Sequence, residues 1–179
     1  MALKRVSDPV DLRSFIRDVP DFPIPGILFR DITPLLGNGP AFVQALNAMI
    51  EPFRDLHIDA IAAVEARGYV LAAPLAYQLG IGLIPVRKPG KLPYDTIKRD
   101  YSLEYGKNVL EVHRDACRPG DRVLIVDDLI ATGGSARATA SLIEQLGGQV
   151  VGFSFLVELD FLNGREALEG YEVHAVLNY

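Results

Sequence analysis

The sequence predicts an α/β protein in which a parallel, twisted sheet is flanked by helices. Four short runs are almost continuously apolar, as in strands covered on both faces, and they span residues 58–64, 81–86, 122–126 and 149–157. A segment with helical spacing of apolar residues separates the first run from the second, and another separates the third from the fourth. This repeated strand–helix–strand order gives parallel strands through right-handed crossovers, with helices on both faces.

The remaining elements follow from local signals along the chain. Apolar residues recur at helical spacing over 8–19, which predicts a short amphipathic helix. The proline-dense stretch 20–26 must be extended or turning, and an apolar stretch, 27–32, follows it. Further helices are predicted at 40–56, 69–79 and 135–146, and a last strand at 171–179.

Length and composition favour one cytoplasmic domain, 1–179. With 49% hydrophobic and 23% charged residues, the chain is typical of a globular protein with its own core. One cysteine, Cys117, excludes an internal disulfide framework and a cysteine-rich zinc site. The formal net charge of −5 disfavours a general nucleic-acid-binding protein. No apolar stretch is long enough for a secretory signal or a membrane span, so we expect no membrane partner. The negative net charge likewise leads us to expect no nucleic-acid partner.

A long polar insertion, 87–115, separates the two halves of the predicted sheet. It contains several Lys and Arg residues together with Pro89, Gly90, Pro93 and Gly106. The insertion is too long for an ordinary connection between two elements. Such an insertion is typically functional, disordered or a small hairpin, and a flexible lid hairpin is one of these possibilities because lid loops of this kind are common over active sites.

The segment that carries most information about function is 123–135, VLIVDDLIATGGS. A buried strand delivers Asp127 and Asp128 to the side of the sheet where ligands bind in open α/β folds. The Thr-Gly-Gly-Ser stretch offers backbone N–H groups at a helix start, which suits a phosphate, and carboxylates accept hydrogen bonds from sugar hydroxyls. An Asp-Asp pair alone would be an ordinary solvated feature, but the whole arrangement favours a phosphosugar site. Neither a Walker A loop nor a dinucleotide fingerprint is present.

Five segments carry a resemblance to a known family. VLIVDDLIATGGSARA resembles the diphosphosugar-binding motif of the type I phosphoribosyltransferases. Four others, spread over most of the chain, resemble the adenine-specific branch of that family: PDFPIPGILFRDITPLL, RKPGKLPYDT, YSLEYGKNVLEVHRDA and VELDFLNGREAL. The resemblance implies the type I phosphoribosyltransferase fold, with a small N-terminal hood over 1–36 that binds the base and a lid over 87–115. It also implies a homodimer.

The resemblance assigns the acid pair and the loop after it to phosphoribosyl diphosphate. The two acids would hold its ribose hydroxyls, and the loop would hold its 5′-phosphate. The residues implied are Asp127, Asp128, Ala131, Thr132, Gly133, Gly134 and Ser135.

A second anion site is expected at residues 65–68, Glu-Ala-Arg-Gly. Arg67 offers a planar fork of donors, and Gly68 permits close approach. The resemblance identifies this segment as the diphosphate loop, with a cis peptide expected between Ala66 and Arg67. A basic cluster after a strand is usually solvated, but beside two phosphate loops we expect three residues to contact diphosphate, some across a dimer interface: Arg87, Lys88 and Lys91.

Proton transfer is expected within the lid. Purine N9 must lose a proton when it displaces diphosphate, and a carboxylate near the ring can accept it. The resemblance assigns this acid–base role to Glu104 and closure over the site to Tyr105.

Base recognition is expected near the start of the chain. Backbone donors and acceptors beside an apolar wall can distinguish adenine from 6-oxopurines, because the hydrogen-bonding groups at that edge of the ring are exchanged. The resemblance implies that Leu28 and Arg30 act through backbone atoms and that Phe29 lines the pocket. Leu129 would cover the opposite face of the base.

The function implied is transfer of the 5-phosphoribosyl group to N9 of adenine in purine salvage, giving AMP and diphosphate. Mg²⁺ would be the cofactor, held mainly by substrate and water. Two alternatives remain open: transfer to xanthine or another 6-oxopurine, and a regulator that senses the diphosphosugar. A purely structural module would not need an acid pair and a phosphate loop together.

Overall fold

The computed structural model describes residues 10–103 and 106–179, and a short 3-10 helix precedes its first strands, which form an antiparallel hairpin. The hairpin pairs β1 (Arg17–Pro20) with β2 (Leu28–Asp31). The predicted helix over 8–19 is wrong in its described part, since only Leu12–Phe15 turns, as a 3-10 helix. A helix over so short a segment is marginally stable. The residues of β1, at the end of that segment, instead satisfy their backbone polar groups by pairing with β2.

Two helices follow the hairpin, α1 (Thr33–Gly37) and α2 (Gly39–Ile50). The helix predicted over 40–56 is therefore too long, and its end becomes a separate 3-10 turn at Glu51–Phe53. Pro52 lies in that turn, and it has no N–H with which to continue the α-helical hydrogen bonds. Phe53 is fully buried, which anchors the turn in the core.

The first strand–helix–strand unit consists of β3 (Ala60–Val64), α3 (Arg67–Leu79) and β4 (Gly82–Val86). A hairpin of β5 (Thr96–Leu103) and β6 (Gly106–His113) occupies the insertion after it. The second unit consists of β7 (Arg122–Ile130), α4 (Gly134–Gln145) and β8 (Gln149–Glu158). The last strand is β9 (Val173–Asn178).

Five of these strands form one parallel sheet in the order β4-β3-β7-β8-β9. One apolar cluster joins this sheet to α2 and α3, and a second joins its other face to α4 and the β5–β6 hairpin. The predicted α/β class, with a parallel sheet between helices, is confirmed. Among the described helices, none combines the length and apolar character needed to cross a membrane.

The central strand β7 is longer than its sequence suggests. The predicted strand ended at residue 126, directly before the acid pair, but β7 continues to Ile130. Asp127 pairs with Phe155 and Leu129 pairs with Val157 of β8. The acid pair is therefore held by the sheet itself, because the ladder continues past the end of the apolar run.

Candidate active site

The acid pair lies in a cleft of about 270 Å³ at the carboxyl end of the sheet. Asp127 and Asp128 line this cleft together with the segment 65–67 after β3 and the loop between β7 and α4. Asp128 is 5% exposed. The position matches the general rule that ligands bind beyond the carboxyl ends of the strands in open α/β sheets.

Burial raises the pKa of both carboxyls. The effect is larger for Asp127, because the negative charge of Asp128 adds to the burial. Burial also raises the pKa of Asp128, but the Arg67 guanidinium opposes it, with Nε 2.8 Å from Oδ2. The Asp128 N–H donates to Oδ1 of Asp127 at 2.9 Å. Two ionised carboxylates side by side are thus disfavoured in the free protein, and a ligand bringing hydroxyl donors or a cation would relieve this.

One buried oxygen of the pair has no hydrogen-bond donor among the described residues. Oδ2 of Asp128 is buried and receives no hydrogen bond within the described residues. The nearby Nε of Arg67 forms an ion pair with it, but the N–H is not directed along a hydrogen bond. A buried acceptor without a donor is rare and calls for a partner, and a sugar hydroxyl or a hydrated cation supplies one.

The loop before α4 is held by close backbone packing. Gly133 has φ +77°, and a β-carbon there would lie 2.3 Å from the Gly164 carbonyl oxygen. A β-carbon on Gly164 would in turn lie 2.3 Å from the Ala131 carbonyl oxygen. In the part of the chain that is described, no side chain caps the start of α4. The loop therefore presents helix N–H groups to the cleft, an arrangement that suits a phosphate.

The segment between β3 and α3 carries a correction. A non-proline cis peptide is present, but it joins Glu65 to Ala66 rather than Ala66 to Arg67. Arg67 begins α3 and lines the cleft, and its Cζ lies 4.9 Å from the centre of the Phe29 ring. Gly68 packs directly against Asp127. This segment thus brings a guanidinium next to both the acid pair and β2.

The three basic residues after β4 have different surroundings. Lys88 lines the cleft, whereas Arg87 and Lys91 lie outside the lining described. Arg87 donates to Oε2 of Glu65 from Nε at 2.9 Å and from Nη2 at 2.7 Å, and to the Lys91 carbonyl at 3.0 Å. The Lys88 N–H donates to Oε1 of Glu65 at 2.8 Å. Burial acts to raise the pKa of Glu65, but Lys88 and Arg87 hold it below its ordinary value.

The residues expected at the base are divided between two places. Leu129 lines the cleft, while Leu28, Phe29 and Arg30 lie on β2 beside it. Phe29 reaches the site through its contact with Arg67. The Arg30 side chain pairs with Asp18 and stacks 4.0 Å from the Tyr179 ring centre. The Arg30 side chain is thus engaged by Asp18 and Tyr179, and its role at the base stays a prediction.

The two residues expected to act in catalysis, Glu104 and Tyr105, lie outside the described residues. Their strands are described on either side: Tyr101 on β5 and Leu110 on β6 both line the cleft. The β5–β6 hairpin therefore borders the site.

Comparisons with known proteins identify the family. Residues 35–173 match the phosphoribosyl transferase domain. Adenine phosphoribosyltransferase of Chloroflexus aurantiacus is 54% identical over 169 residues, covering 94% of this chain and 98% of its relative. That of Desulfitobacterium hafniense is 56% identical over 170 residues, covering 95% and 98%. The chain belongs to the adenine phosphoribosyltransferase family.

Solved structures agree with this assignment to the adenine phosphoribosyltransferases. The enzyme from Thermoanaerobacter pseudethanolicus superposes with a TM-score of 0.92 at 49% identity, covering 94% of this chain and 98% of that one. The Saccharomyces cerevisiae enzyme, solved with an imino-altritol bisphosphate and adenine, gives a TM-score of 0.88 at 41% identity, covering 93% and 96%. The predicted type I phosphoribosyltransferase fold is confirmed.

Sequence reasoning missed two polar residues of the cleft. No role was predicted for Glu65, yet its carboxylate accepts hydrogen bonds from the Arg87 guanidinium and from the Lys88 N–H. Tyr101 also lines the cleft, and its pKa is raised by burial. A signal existed for Glu65, since an acid directly before Arg67 at a strand end is a candidate partner for nearby basic side chains. None existed for Tyr101, because its position depends on how the hairpin packs.

Proposed function

We propose that this chain transfers the 5-phosphoribosyl group from phosphoribosyl diphosphate to N9 of adenine, forming AMP and diphosphate in purine salvage. The chain is a pentosyltransferase by family. The observation that carries the proposal is the meeting of the Asp127–Asp128 pair and the uncapped start of α4 in one cleft. An acid pair suits the ribose, and the helix start suits the 5′-phosphate, so one pocket accommodates both ends of a phosphoribosyl group.

The acid pair orients the sugar in this proposal. The ribose hydroxyls donate to Asp127 and Asp128, including the Oδ2 oxygen of Asp128 that receives no other donor in the described structure. The 5′-phosphate accepts backbone N–H groups from the loop and from the first turn of α4. The residues proposed for it are Ala131, Thr132, Gly133, Gly134 and Ser135, all of which line the cleft. Fixing both ends of the sugar sets the direction from which the anomeric carbon is attacked.

Diphosphate is proposed to leave along the segment that follows β3 and the loop that follows β4. Arg67 and the Gly68 backbone face one side of it, and Lys88 and Lys91 supply further positive charge. Arg87 supports the same loop through Glu65, which already binds its guanidinium. The transition state at the anomeric carbon is oxocarbenium-like, and negative charge builds up on the leaving diphosphate. Fixed positive charges of the protein beside that diphosphate therefore provide most of the stabilisation.

Magnesium is proposed as the cofactor, and the donor set fits it. Mg²⁺ commonly keeps several waters and uses one or two carboxylates together with substrate phosphates. The cleft offers two adjacent carboxylates, and residues 10–103 and 106–179 contain no cluster of three or more potential ligands. When bound, the ion neutralises charge on the leaving diphosphate. The ion would be held mainly by substrate and water, and Asp127 and Asp128 would hold it through hydrogen bonds to that water.

The base is proposed to bind between β2 and the cleft. Leu28 and Arg30 present backbone atoms to its edge, while Phe29 and Leu129 cover its faces. The Phe22 ring lies 5.0 Å from that of Phe29 at 71°, which fixes the Phe29 ring. Glu104 is proposed to take the proton from N9, and Tyr105 to close over the site.

The assembly proposed is a homodimer. A parallel sheet is normally covered on both faces, yet Leu83 and Pro85 of the edge strand β4 are exposed. On the neighbouring α3, Val70 and Tyr77 are also exposed, Tyr77 at 90%. A second copy of the chain would cover this apolar surface.

The cytoplasm is the proposed location, because the highly charged diphosphosugar does not cross a bilayer unaided.

A panel of bases tests the proposed reaction. The purified protein is incubated with phosphoribosyl diphosphate, Mg²⁺ and, in turn, adenine, hypoxanthine, guanine or xanthine, and nucleotide and diphosphate are quantified. We expect AMP from adenine alone. Product from a 6-oxopurine instead would keep the phosphate sites but contradict the base assignment. Binding of phosphoribosyl diphosphate without any product would favour the regulator, whose binding to nucleic acid is then measured by gel shift at physiological salt.

A further inference from the structure

A buried carboxylate outside the cleft lining, Glu111, joins the hairpin to the basic loop 87–91. Glu111 is 2% exposed and lies on β6. Its backbone forms an isolated bridge with Arg87: the Arg87 N–H donates to the Glu111 carbonyl at 3.0 Å, and the Glu111 N–H donates to the Arg87 carbonyl at 2.8 Å. The start of the basic loop is thus tied to β6.

The Glu111 side chain binds the rest of that loop. Its Oε1 accepts the N–H of Gly90 at 2.9 Å and that of Lys91 at 3.3 Å. Its Oε2 accepts the Thr96 hydroxyl at 3.3 Å and lies 3.7 Å from Nζ of Lys98. Gly90 has φ +78°, so these two N–H groups converge at a tight turn. One carboxylate therefore fixes both the turn of the loop and the base of β5.

Burying a carboxylate is unfavourable unless hydrogen bonds and an opposite charge compensate. At Glu111, the groups that compensate come from the basic loop and from β5. A hydrocarbon side chain could fill the same volume but could not accept hydrogen bonds from these donors. The charge is thus placed where it defines the shape of the loop rather than where it improves core packing.

The loop is held from its other side by Glu65, which accepts the Lys88 N–H at 2.8 Å. Two carboxylates from different parts of the chain therefore grip one loop: Glu65 follows β3, and Glu111 belongs to the hairpin. Glu65 attaches at Lys88, which lines the cleft, and Glu111 attaches two and three residues later, at Gly90 and Lys91. Displacing either attachment would move the basic side chains relative to the acid pair.

We propose that Glu111 is a positioning residue for the diphosphate site. It holds loop 87–91 so that Lys88 and Lys91 face the leaving group, and through Thr96 and Lys98 it couples that loop to the hairpin beside the cleft. The inference rests on the proposed function for the identity of the anion. It concerns only the affinity of the protein for diphosphate and not the rate of turnover.

The test compares Glu111→Ala and Glu111→Gln with wild type. Diphosphate binding is measured by titration calorimetry, and KM is measured separately for phosphoribosyl diphosphate and for adenine. We expect Glu111→Ala to weaken diphosphate binding by about tenfold or more, since hydrogen bonds to a charged group are lost. Glu111→Gln keeps one acceptor oxygen and should lose less. KM for adenine should stay close to the wild-type value in both variants.

Glu158→Gln is the matched control. Glu158 is also a buried glutamate, 5% exposed, and it is paired with Arg165 at 2.7 Å, away from the loop. It should leave diphosphate binding unchanged even if it lowers stability. Thr96→Val removes one donor to Glu111 without removing the carboxylate, so it decides the question if the Glu111 variants do not fold. A small, selective weakening of diphosphate binding is expected.

Unchanged diphosphate binding in folded Glu111→Ala, or in Thr96→Val where the Glu111 variants do not fold, would overturn the proposal. Equal losses for adenine and diphosphate would also overturn it, because that pattern indicates a general structural role. The proposed reaction fails separately, if wild type makes no AMP. The calorimetric comparison does not depend on turnover, so the two failures are distinguishable.

Discussion

Gly68 lies against Asp127 so closely that a β-carbon at position 68 would be 2.7 Å from Oδ1 of the aspartate and 3.3 Å from the Val126 carbonyl oxygen. The first turn of α3 can approach the acid pair because position 68 has no side chain. The same approach brings Arg67 to 2.8 Å from Asp128. A glycine on one strand–helix connection thus determines the geometry of carboxylates on another strand.

Gly68→Ala should therefore displace the Asp127 carboxylate. We expect affinity for phosphoribosyl diphosphate to fall by about ten- to a hundredfold, because a shift of this size in a binding group has effects of that order. Overpacking should also lower the free energy of unfolding by about 1–3 kcal/mol. Titration calorimetry and urea denaturation measure both. Gly39→Ala is the control, since nothing lies within 4 Å of a β-carbon there, and equal behaviour of the two variants would refute the contact.

Asp127→Asn should change how stability depends on pH. The folded protein raises the pKa of Asp127, mainly by burial and then by the charge of Asp128, so it binds a proton more tightly than the unfolded chain does. The stabilising contribution is full below the ordinary pKa of an aspartate and is lost as the pH rises through the raised pKa. As the pH rises from the ordinary pKa of an aspartate through the raised pKa of Asp127, the asparagine variant should therefore become more stable relative to wild type.

Urea denaturation at a series of pH values measures this difference. Asp55→Asn, at an exposed position, is the control. The asparagine at 127 should also weaken binding of phosphoribosyl diphosphate, because the amide cannot provide the same charge. Parallel stability curves for wild type and Asp127→Asn would show that the carboxyl does not titrate differently in the folded state.

Gly164→Ala should test whether the packing of Gly164 against the phosphate loop determines phosphate binding. A β-carbon at 164 would be 2.3 Å from the Ala131 carbonyl oxygen and would push the loop towards the cleft. Affinity should fall for both AMP and phosphoribosyl diphosphate, which share a 5′-phosphate, by about tenfold or more. Diphosphate alone should bind as in wild type. Gly37→Ala, where the space is open, is the matched control; loss of diphosphate binding would point to general disruption instead.

Tyr77→Glu should separate the proposed dimer. Tyr77 is 90% exposed on α3, the helix that packs beside β4. A carboxylate placed in an apolar interface would be desolvated without a partner, so association should weaken by orders of magnitude. Sedimentation velocity measures this, with Tyr94→Glu as the control because Tyr94 is exposed elsewhere on the chain. A wild-type monomer, or an unchanged Tyr77→Glu dimer, would exclude this surface.

Periodicity in the sequence predicted most of the sheet, because apolar runs such as 58–64 and 149–157 have no other stable location than a covered strand. In the described part of the predicted helix, 10–19, periodicity failed, because pairing of β1 with β2 overrides a weak helical pattern. It also misplaced the end of β7, since Asp127 and Leu129 continue a ladder with β8 that composition does not reveal.

The candidate site shows the same division. The chemical types were evident along the chain, because Asp127 and Asp128 stand next to a glycine-rich helix start. Their electrostatics were not, since the raised pKa of Asp127 depends on burial by distant segments. The sequence likewise marked Arg87 as an anion contact, but the fold pairs it with Glu65, 22 positions away, and gives the cleft to Lys88.

By itself the sequence determined the parallel α/β sheet and the groups available for a phosphosugar, because local composition decides which segments must be buried and which can bind an anion. Tertiary structure alone decided which of those groups meet. These are the contacts of Gly133 with Gly164, of Gly68 with Asp127, and of Glu111 with the basic loop, and they join residues 20 to 59 positions apart. Such distances along the chain are bridged only by packing, and packing depends on the whole fold rather than on any one segment.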